Sequence, residues 1–255
     1  DLPVGSGAGA NNNLLVIDGG GVPGSALATN VANVRVGTTY NVAGRYNNRV
    51  VVTNGGWLFS NGGAESHVGI GPGGWGSSNG VTVTGSGSKW TMAGFIYFGN
   101  QADFNNLTIA QGGQAVFGGS VTIGYNSGAS SNSVLVTDAD SLWQVNNSIG
   151  VGTVADASGN SITISNGARA VSTGVTVGYG VNNFLRVTGP GSTMTNSYAN
   201  IGYGSGIGNS MLIMNGGRVI DLAGTDYIGY HASPTSGTVV VTGAGSLWSN
   251  VNLIV

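Results

Sequence analysis

Apolar and polar residues alternate in short runs that recur along most of the chain. The clearest run, VTVTGSGSKW at Val81 to Trp90, returns as VLVTDADSLW, LRVTGPGSTM and VVVTGAGSLW. Midway between these copies lies a second version, VVVTNGGWLF at Val50 to Phe59, which returns as LTIAQGGQAV, ITISNGARAV and MLIMNGGRVI. A period of two predicts strands with one buried face, and recurrence at a fixed interval predicts a repeat architecture.

Each repeat divides into three short strands separated by turns. The first strand follows a residue that we expect to take the left-handed conformation, because Asn and Gly tolerate it. These turn residues are Asn13, Asn48, Asn79, Asn105, Asn132, Asn160, Asn183, Asn209 and Gly237. The third strand of most units ends in a glycine. These glycines are Gly37, Gly71, Gly99, Gly124, Gly152, Gly178, Gly202 and Gly229.

Three strands per unit predict an all-β fold, a right-handed parallel β-helix or β-solenoid of about nine rungs, each rung being one turn of the coil. We expect a single solenoid domain over residues 1–255, with a degenerate N-terminal rung and a candidate junction strand in 1–47 and regular alternating repeats in 48–255.

A column of apolar side chains is expected inside the coil after the glycine-rich corner. Its predicted members are Phe59, Trp90, Val116, Trp143, Val171, Met194, Ile220 and Trp248. Large and small side chains mostly alternate along this column. Because rungs lie only about 4.8 Å apart, a large ring needs a smaller neighbour above and below it. This spacing predicts that Trp90, Val116 and Trp143 lie one above another.

Composition narrows the classes of function. With 40% apolar residues and only 7 Lys and Arg and 9 Asp and Glu in 255, the chain can bury a core and does not resemble a disordered protein. The net charge of −2 offers no basic surface for nucleic acid, and no apolar run approaches the ~18 residues of a membrane span. Cysteine is absent, which excludes disulfides. We expect no cofactor, no bound metal, no nucleic-acid partner and no membrane insertion.

The two ends of the chain resemble interrupted rungs without a polar cap. DLPVG at Asp1 to Gly5 and NLIV at Asn252 to Val255 both look like third strands. An open β-edge over bare core favours completion by another copy in a head-to-tail contact. The predicted assembly interface is Leu2, Pro3, Val4, Leu15, Ile17, Val239, Val241, Trp248, Leu253, Ile254 and Val255. Since both ends supply a third strand, simple continuation places one strand too many at the junction.

The repeat pattern also carries a resemblance. VTGxGSxW, then IG, then NxLxIxNGGxV and IGY, from about Asn48 to Val255, resemble the repeats of bacterial autotransporter-associated and related surface β-helix proteins. The resemblance implies a secreted, right-handed parallel β-helix that serves as a passenger, an adhesin or a surface fibre. The alternating strands of a C-terminal translocator barrel do not follow the repeats. The resemblance therefore implies a passenger-like solenoid.

Parallel β-helices also host polysaccharide-active enzymes, so closely spaced acids and histidines are candidate catalytic groups. Three pairs stand out by their spacing: Asp138 with Asp140, Asp221 with Asp226, and Glu65 with His67. We expect the two Asp pairs to lie in solvated turns, because Asp favours turns. Catalytic acid–base pairs need converging groups, and neighbouring repeats supply none. His231 is expected in an exposed loop, and GIGPGG at Gly69 to Gly74 in a turn, so we expect no enzyme.

Four functions remain to be weighed. The first is an extracellular structural subunit that assembles head to tail into a filament. The second is an adhesin or passenger fragment that binds a glycan or host surface, for which Tyr179, Tyr203 and Tyr230 on consecutive rungs form a candidate surface ladder. A polysaccharide-active enzyme and ice binding by outward Thr82 and Thr84 are weaker alternatives. The first function is favoured, at a bacterial cell surface or in its matrix.

Overall fold

A computed structural model describes residues 1–38, 44–61, 65–71, 76–230 and 236–255 of the chain. These residues form short β-strands and no helix long and apolar enough to cross a membrane. In chain order the strands are β1 (Leu2–Val4), β2 (Leu14–Asp18), β3 (Leu27–Val31), β4 (Val34–Thr38), β5 (Arg49–Thr53), β6 (Trp57–Ser60), β7 (Ser66–Ile70), β8 (Gly80–Thr84), β9 (Lys89–Met92), β10 (Ile96–Asn100), β11 (Asn106–Ala110), β12 (Gln114–Phe117), β13 (Val121–Tyr125), β14 (Ser133–Thr137), β15 (Leu142–Val145), β16 (Ser148–Val151), β17 (Ser161–Ser165), β18 (Arg169–Val171), β19 (Gly174–Val177), β20 (Phe184–Thr188), β21 (Thr193–Asn196), β22 (Ala199–Tyr203), β23 (Asn209–Met214), β24 (Arg218–Asp221), β25 (Thr225–Tyr230), β26 (Gly237–Thr242), β27 (Leu247–Ser249) and β28 (Asn252–Ile254).

Every third strand joins the same parallel sheet, so three sheets run the length of the coil. Among the described strands, sheet 1 holds ten, β1 and every third strand through β28. Sheet 2 holds nine, from β2 to β26, and sheet 3 holds nine, from β3 to β27. The structure therefore confirms an all-β parallel β-solenoid with three strands per rung.

Alternation along each strand separates the core from the surface, as the sequence predicts. In sheet 2, Val81 and Val83 are fully buried, and the intervening Thr82 faces outward beside Thr108 of the next rung. The same pair of inward positions is filled by aliphatic residues along the sheet. Branched and aliphatic side chains pack well on a pleated surface that is half buried, which stabilises these short strands together.

The predicted apolar column exists, but half of its members are wrong by one residue. The strand register stacks Leu58, Trp90, Ala115, Trp143, Ala170, Met194, Val219 and Trp248. Ala115 therefore lies between the two indoles, whereas Val116 faces outward and is only partly buried. The predicted positions of Phe59, Val171 and Ile220 are wrong in the same way. Their shift leaves the in-register stacking intact and makes the alternation of large and small side chains sharper.

The error arises because the two repeat versions turn the corner with different numbers of residues. Val83 and Trp90 are seven positions apart, whereas their stacked partners Ile109 and Ala115 are six apart. The additional residue is the buried Ser88, whose hydroxyl accepts a hydrogen bond from the Gly55 N–H of the previous rung at 3.0 Å. The hydroxyls of Ser141, Ser192 and Ser246 accept equivalent bonds, each at 3.0 Å. The serine of each longer corner is thus hydrogen-bonded to the shorter corner of the preceding rung.

The asparagines that open the repeats form a buried ladder instead of occupying left-handed turns. From Asn48 to Asn209, each Oδ1 accepts hydrogen bonds from the backbone N–H and the Nδ2 of the asparagine one rung earlier, at 2.8–3.3 Å, and the exposed Asn13 is the first donor. The prediction about their backbone is wrong by one position, because the left-handed residue is the one that precedes each of them, such as Ser131 (φ 56°) before Asn132. The ladder satisfies backbone groups that have no access to water.

The glycine of the third strand is explained by this ladder. A Cβ on Gly99 would overlap the side chain of Asn132, and Gly99 also has φ of 76°. Equivalent overlaps hold from Gly5 to Gly178 along sheet 1. In the third rung the residue at this place is Gly69, which faces Asn105, so the prediction of Gly71 is wrong.

Candidate functional site

The N-terminal part of the predicted assembly interface is largely covered. Val4 and Ile17 are 8% and 6% exposed, and Leu2 and Leu15 are partly buried against the core. Pro3 points outward beside Arg35 of β4. The edge strand β1 is tied down because Asp1 accepts a hydrogen bond from Asn33 at 2.9 Å and pairs with Arg35 at 3.0 Å. This end face therefore presents a fixed strand edge with little bare core.

The C-terminal part of the interface is far more open. Val241 is 46% exposed, Leu253 is 40% exposed, Ile254 is 46% exposed and Val255 is 87% exposed. Val239 and Trp248 are partly buried against the core. The last rung therefore presents to solvent the side chains that interior rungs bury, and the two ends of the solenoid differ.

The three tyrosines of the predicted ladder are in contact along sheet 1. The ring centroids of Tyr179 and Tyr203 are 5.3 Å apart in an edge-to-face arrangement, and those of Tyr203 and Tyr230 are 5.2 Å apart and stacked. Such aromatic pairs contribute about 0.5–1.5 kcal/mol each beyond the area they bury. Tyr125, which follows an equivalent glycine, contacts Tyr97 at 4.5 Å.

Asp221 and Asp226 do not lie in a solvated turn, so that prediction is wrong. Asp221 is 3% exposed and Asp226 is 0% exposed, because the strand register places both at inward positions. Asp226 accepts a hydrogen bond from the Ala199 N–H at 2.7 Å. Asp221 accepts bonds from Asn196 Nδ2 and, at 2.6 Å, from the indole Nε1 of Trp248. The alternation of Arg218–Asp221 was the signal that could have found this position.

Burial governs the ionisation of this acidic pair. It raises the pKa of Asp221 to about 7, against the hydrogen bond from Trp248 and with a further contribution from the charge of Asp226. Burial also raises the pKa of Asp226. Two adjacent carboxylates without a cation between them resist full ionisation. The raised pKa of Asp221 therefore predicts that the pair takes up or releases a proton near neutral pH.

The other candidate groups occupy separate places. Asp138 and Asp140 lie in a left-handed turn with φ of 73° and 66°, as predicted for a turn. His67 Nε2 lies 3.4 Å from a Glu65 oxygen. Burial, with a smaller contribution from the charge of Arg35, lowers the pKa of His67 to about 4, so its imidazole is neutral at pH 7.

Two sequence candidates cannot be placed in this way. His231 lies outside the described residues, and so do positions 72–74 of the GIGPGG segment. In the part of the chain that the structure describes, no group of three His, Cys, Asp or Glu side chains is arranged to hold a metal ion.

Comparisons with known proteins add little. No protein-family model matches the sequence, and no curated protein matches it. One solved structure with a measurable likeness is that of a TibC-catalysed hyper-glycosylated TibA fragment, at 17% identity over 96% of this chain and 93% of that chain, with a TM-score of 0.21. A likeness at this level carries no argument about function. The parallel β-solenoid that the resemblance implied is present, and membership of the autotransporter-associated group stays a prediction.

Proposed function

We propose that this chain is a structural, non-enzymatic subunit of an extracellular fibre in which β-solenoid molecules stack end to end. The proposal rests on a difference in burial within one column: Ile213 is 0% exposed, whereas Val241, its partner one rung later, is 46% exposed. Another rung in register would cover Val241 as Val241 covers Ile213. The β2 strand of a second copy supplies such a rung.

The backbone at the ends supports the same arrangement. Within the described residues, β26, β27 and β28 each pair with a strand on one side only. Their other side offers N–H and C=O groups that can pair with a further parallel strand. A contact between the two different ends of identical molecules does not close on itself and therefore extends into a filament. With a net charge of −2, copies repel one another little.

The ten strands of sheet 1 bear on which strand would leave at a junction between two copies. Both β1 and β28 belong to this sheet, so stacked copies would bring two strands to one position. All three residues of β28 are exposed, whereas β1 is held by the Asp1–Arg35 ion pair and by Asn33. We expect β1 of the incoming copy to displace β28.

Assembly is tested by negative-stain electron microscopy and by light scattering over a range of protein concentrations. We expect filaments from the unmodified protein and monomers from Val241→Lys, which places a charge in the proposed contact. The matched control is Val240→Lys, in the same strand on the outward face, which should still form filaments. A wild-type protein that stays monomeric at high concentration, or filaments that persist in Val241→Lys, would refute the proposal.

Removal of residues 252–255 tests the junction separately. If β28 is the strand that gives way, the shortened chain should form filaments at lower concentration than the full chain, because no strand has to leave. If the shortened chain folds but no longer assembles, β28 is part of the contact and the displacement model is wrong.

A second candidate function is adhesion to a glycan or to a host surface. The observation that favours it is the row of solvent-facing rings formed by Tyr179, Tyr203 and Tyr230. Adhesion to glycan-coated surfaces should fall in the variant with all three tyrosines changed to Ser. Adhesion that is unchanged in this variant would remove the tyrosine row from consideration.

A further inference from the structure

A groove of about 340 Å³ crosses four strands on the outer face of sheet 1. Its floor consists of the outward residues Thr122, Gly150, Thr176 and Asn200, which the register places side by side on β13, β16, β19 and β22. Three inter-strand spacings make the floor about 14 Å long. Gly150 has no side chain, so the floor is lowered between the two threonines.

Aromatic rings form the walls, and glycines hold them in place. The ring of Tyr198 lies against Gly174 of the preceding rung so closely that a Cβ there would overlap it. Tyr179 lies in the same way against Gly204, and its ring contacts that of Tyr203. Backbone contact of this kind leaves the rings little freedom, so the groove exists before any ligand arrives.

The polar groups of the groove are neutral hydroxyls and amides. The hydroxyls of Ser120 and Ser148 lie 3.3 Å apart at the rim. The Oδ1 atom of Asn200 is shielded from water and has no hydrogen-bond partner among the described residues. The threonine hydroxyls and the exposed part of the Asn200 amide are therefore the groups that a ligand hydroxyl would meet. The residues that line the groove include no Asp, Glu, Lys, Arg or His.

We propose that this groove binds a neutral oligosaccharide. Sugar rings present C–H groups on their faces, which pack against aromatic rings, and hydroxyls on their edges, which match the threonines and Asn200. Clefts of about 300 to 1,000 Å³ with aromatic walls and a few polar groups are typical ligand sites. A phosphate or uronic acid would find no cation here, and a purely apolar ligand would leave the polar floor unpaired. The site is separate from the end faces, so it does not depend on fibre formation.

The deciding variant is Gly150→Thr, which raises the floor without removing any wall. Gly150 does not have positive φ among the described backbone angles, and an added Cβ would lie 2.8 Å from the methyl of Thr153, a side-chain atom that would have to turn aside. A β-branched residue is favoured in a strand. We expect Gly150→Thr to fold, which urea unfolding checks, and to bind sugar at least tenfold more weakly.

The probes are neutral cello-, xylo-, manno-, malto- and chito-oligosaccharides, measured by isothermal titration calorimetry and saturation-transfer NMR. If the protein forms fibres, binding is measured in the Val241→Lys variant, which we expect to stay monomeric. If it does not, binding is measured in the unmodified protein. Thr176→Val should weaken binding severalfold by removing one floor hydroxyl. Thr163→Val, an outward threonine of sheet 2, is the matched control and should bind normally.

Three results would overturn the inference. The first is the absence of binding by every neutral oligosaccharide up to about 1 mM, which corresponds to a binding free energy of about −4 kcal/mol. The second is binding that is equally strong in Gly150→Thr, which would place the sugar elsewhere. The third is preference for a charged oligosaccharide over its neutral counterpart, which would contradict the uncharged lining. None of these results bears on filament formation, so failure here is distinguishable from failure of the proposed function.

Discussion

Truncation of one asparagine in the buried ladder should destabilise the whole solenoid. Asn132 lies in the middle of the ladder and is fully buried. Its Oδ1 accepts from the Asn105 N–H at 2.9 Å and from Asn105 Nδ2 at 3.1 Å. Its Nδ2 donates to Ala102 O at 2.9 Å and to Asn160 Oδ1 at 3.0 Å. Asn132→Ala removes these four bonds.

The size of the effect follows from the groups that lose a partner. Asn105 Nδ2 keeps a second acceptor in Asp103 O, and Asn160 Oδ1 keeps the Asn132 N–H as a donor. The Asn105 N–H and the Ala102 C=O are then the two buried groups that lose the hydrogen bond they made to the Asn132 side chain. Each buried group left unsatisfied costs about 1–3 kcal/mol, so we expect the two groups to lower the free energy of unfolding by about 2–6 kcal/mol.

Urea unfolding followed by tryptophan fluorescence measures this loss. Asn106→Ala is the matched control, because Asn106 follows a ladder residue but faces outward, and surface changes usually fall within about 0.5 kcal/mol. Asn132→Asp keeps the acceptor but removes the donor, so it should also destabilise, and more strongly at pH 8 than at pH 4. A loss below about 1 kcal/mol in Asn132→Ala, with an unchanged m-value, would show that the ladder is not a main source of stability.

Three further predictions concern the column, the third strand and the acidic pair. Ala115→Leu should destabilise by about 1–3 kcal/mol in urea unfolding because it overpacks the space between two indoles, whereas Val116→Leu should be nearly neutral. Gly99→Ala should cost at least about 2 kcal/mol by the same assay, since φ is 76° and the Cβ meets the ladder. Stability should fall as pH rises from about 4 to above 7, by up to about 4 kcal/mol, because the folded pKa of Asp221 is raised from 3.8 to about 7 and ionisation favours the unfolded chain. Asp226→Asn should flatten that pH profile, and a rise in stability over the same pH range would contradict the reasoning.

The local pattern of apolar and polar residues was sufficient to predict the strands. It was not sufficient to predict which residues of strands on either side of a corner lie at equivalent positions. The period of two in VTVT and its copies identifies which side chains of sheet 2 face inward, because adjacent residues of a strand point to opposite faces. The two corners differ by one residue, and a one-residue shift exchanges the inward and outward sets. That is why Val116 was predicted inside where Ala115 lies. The serine that recurs in GSGS and its relatives was the available signal, since only the longer corner contains it.

The sequence alone determined the parallel β-solenoid, the three strands per rung and the in-register stacking, because each follows from short-range alternation repeated at a constant interval. Only the tertiary structure decided how neighbouring rungs contact one another. The asparagines bond to one another across rungs, Asp221 and Asp226 meet in the core, and Tyr198 rests on Gly174 to form a groove. The bonded asparagines, and likewise Gly174 and Tyr198, are more than 20 positions apart in the sequence. Asp221 and Asp226 are close in sequence, but local pattern does not distinguish a buried carboxylate from one in a solvated turn. The structural role of these asparagines, acids and tyrosine therefore depends on contacts between neighbouring rungs, which local sequence does not specify.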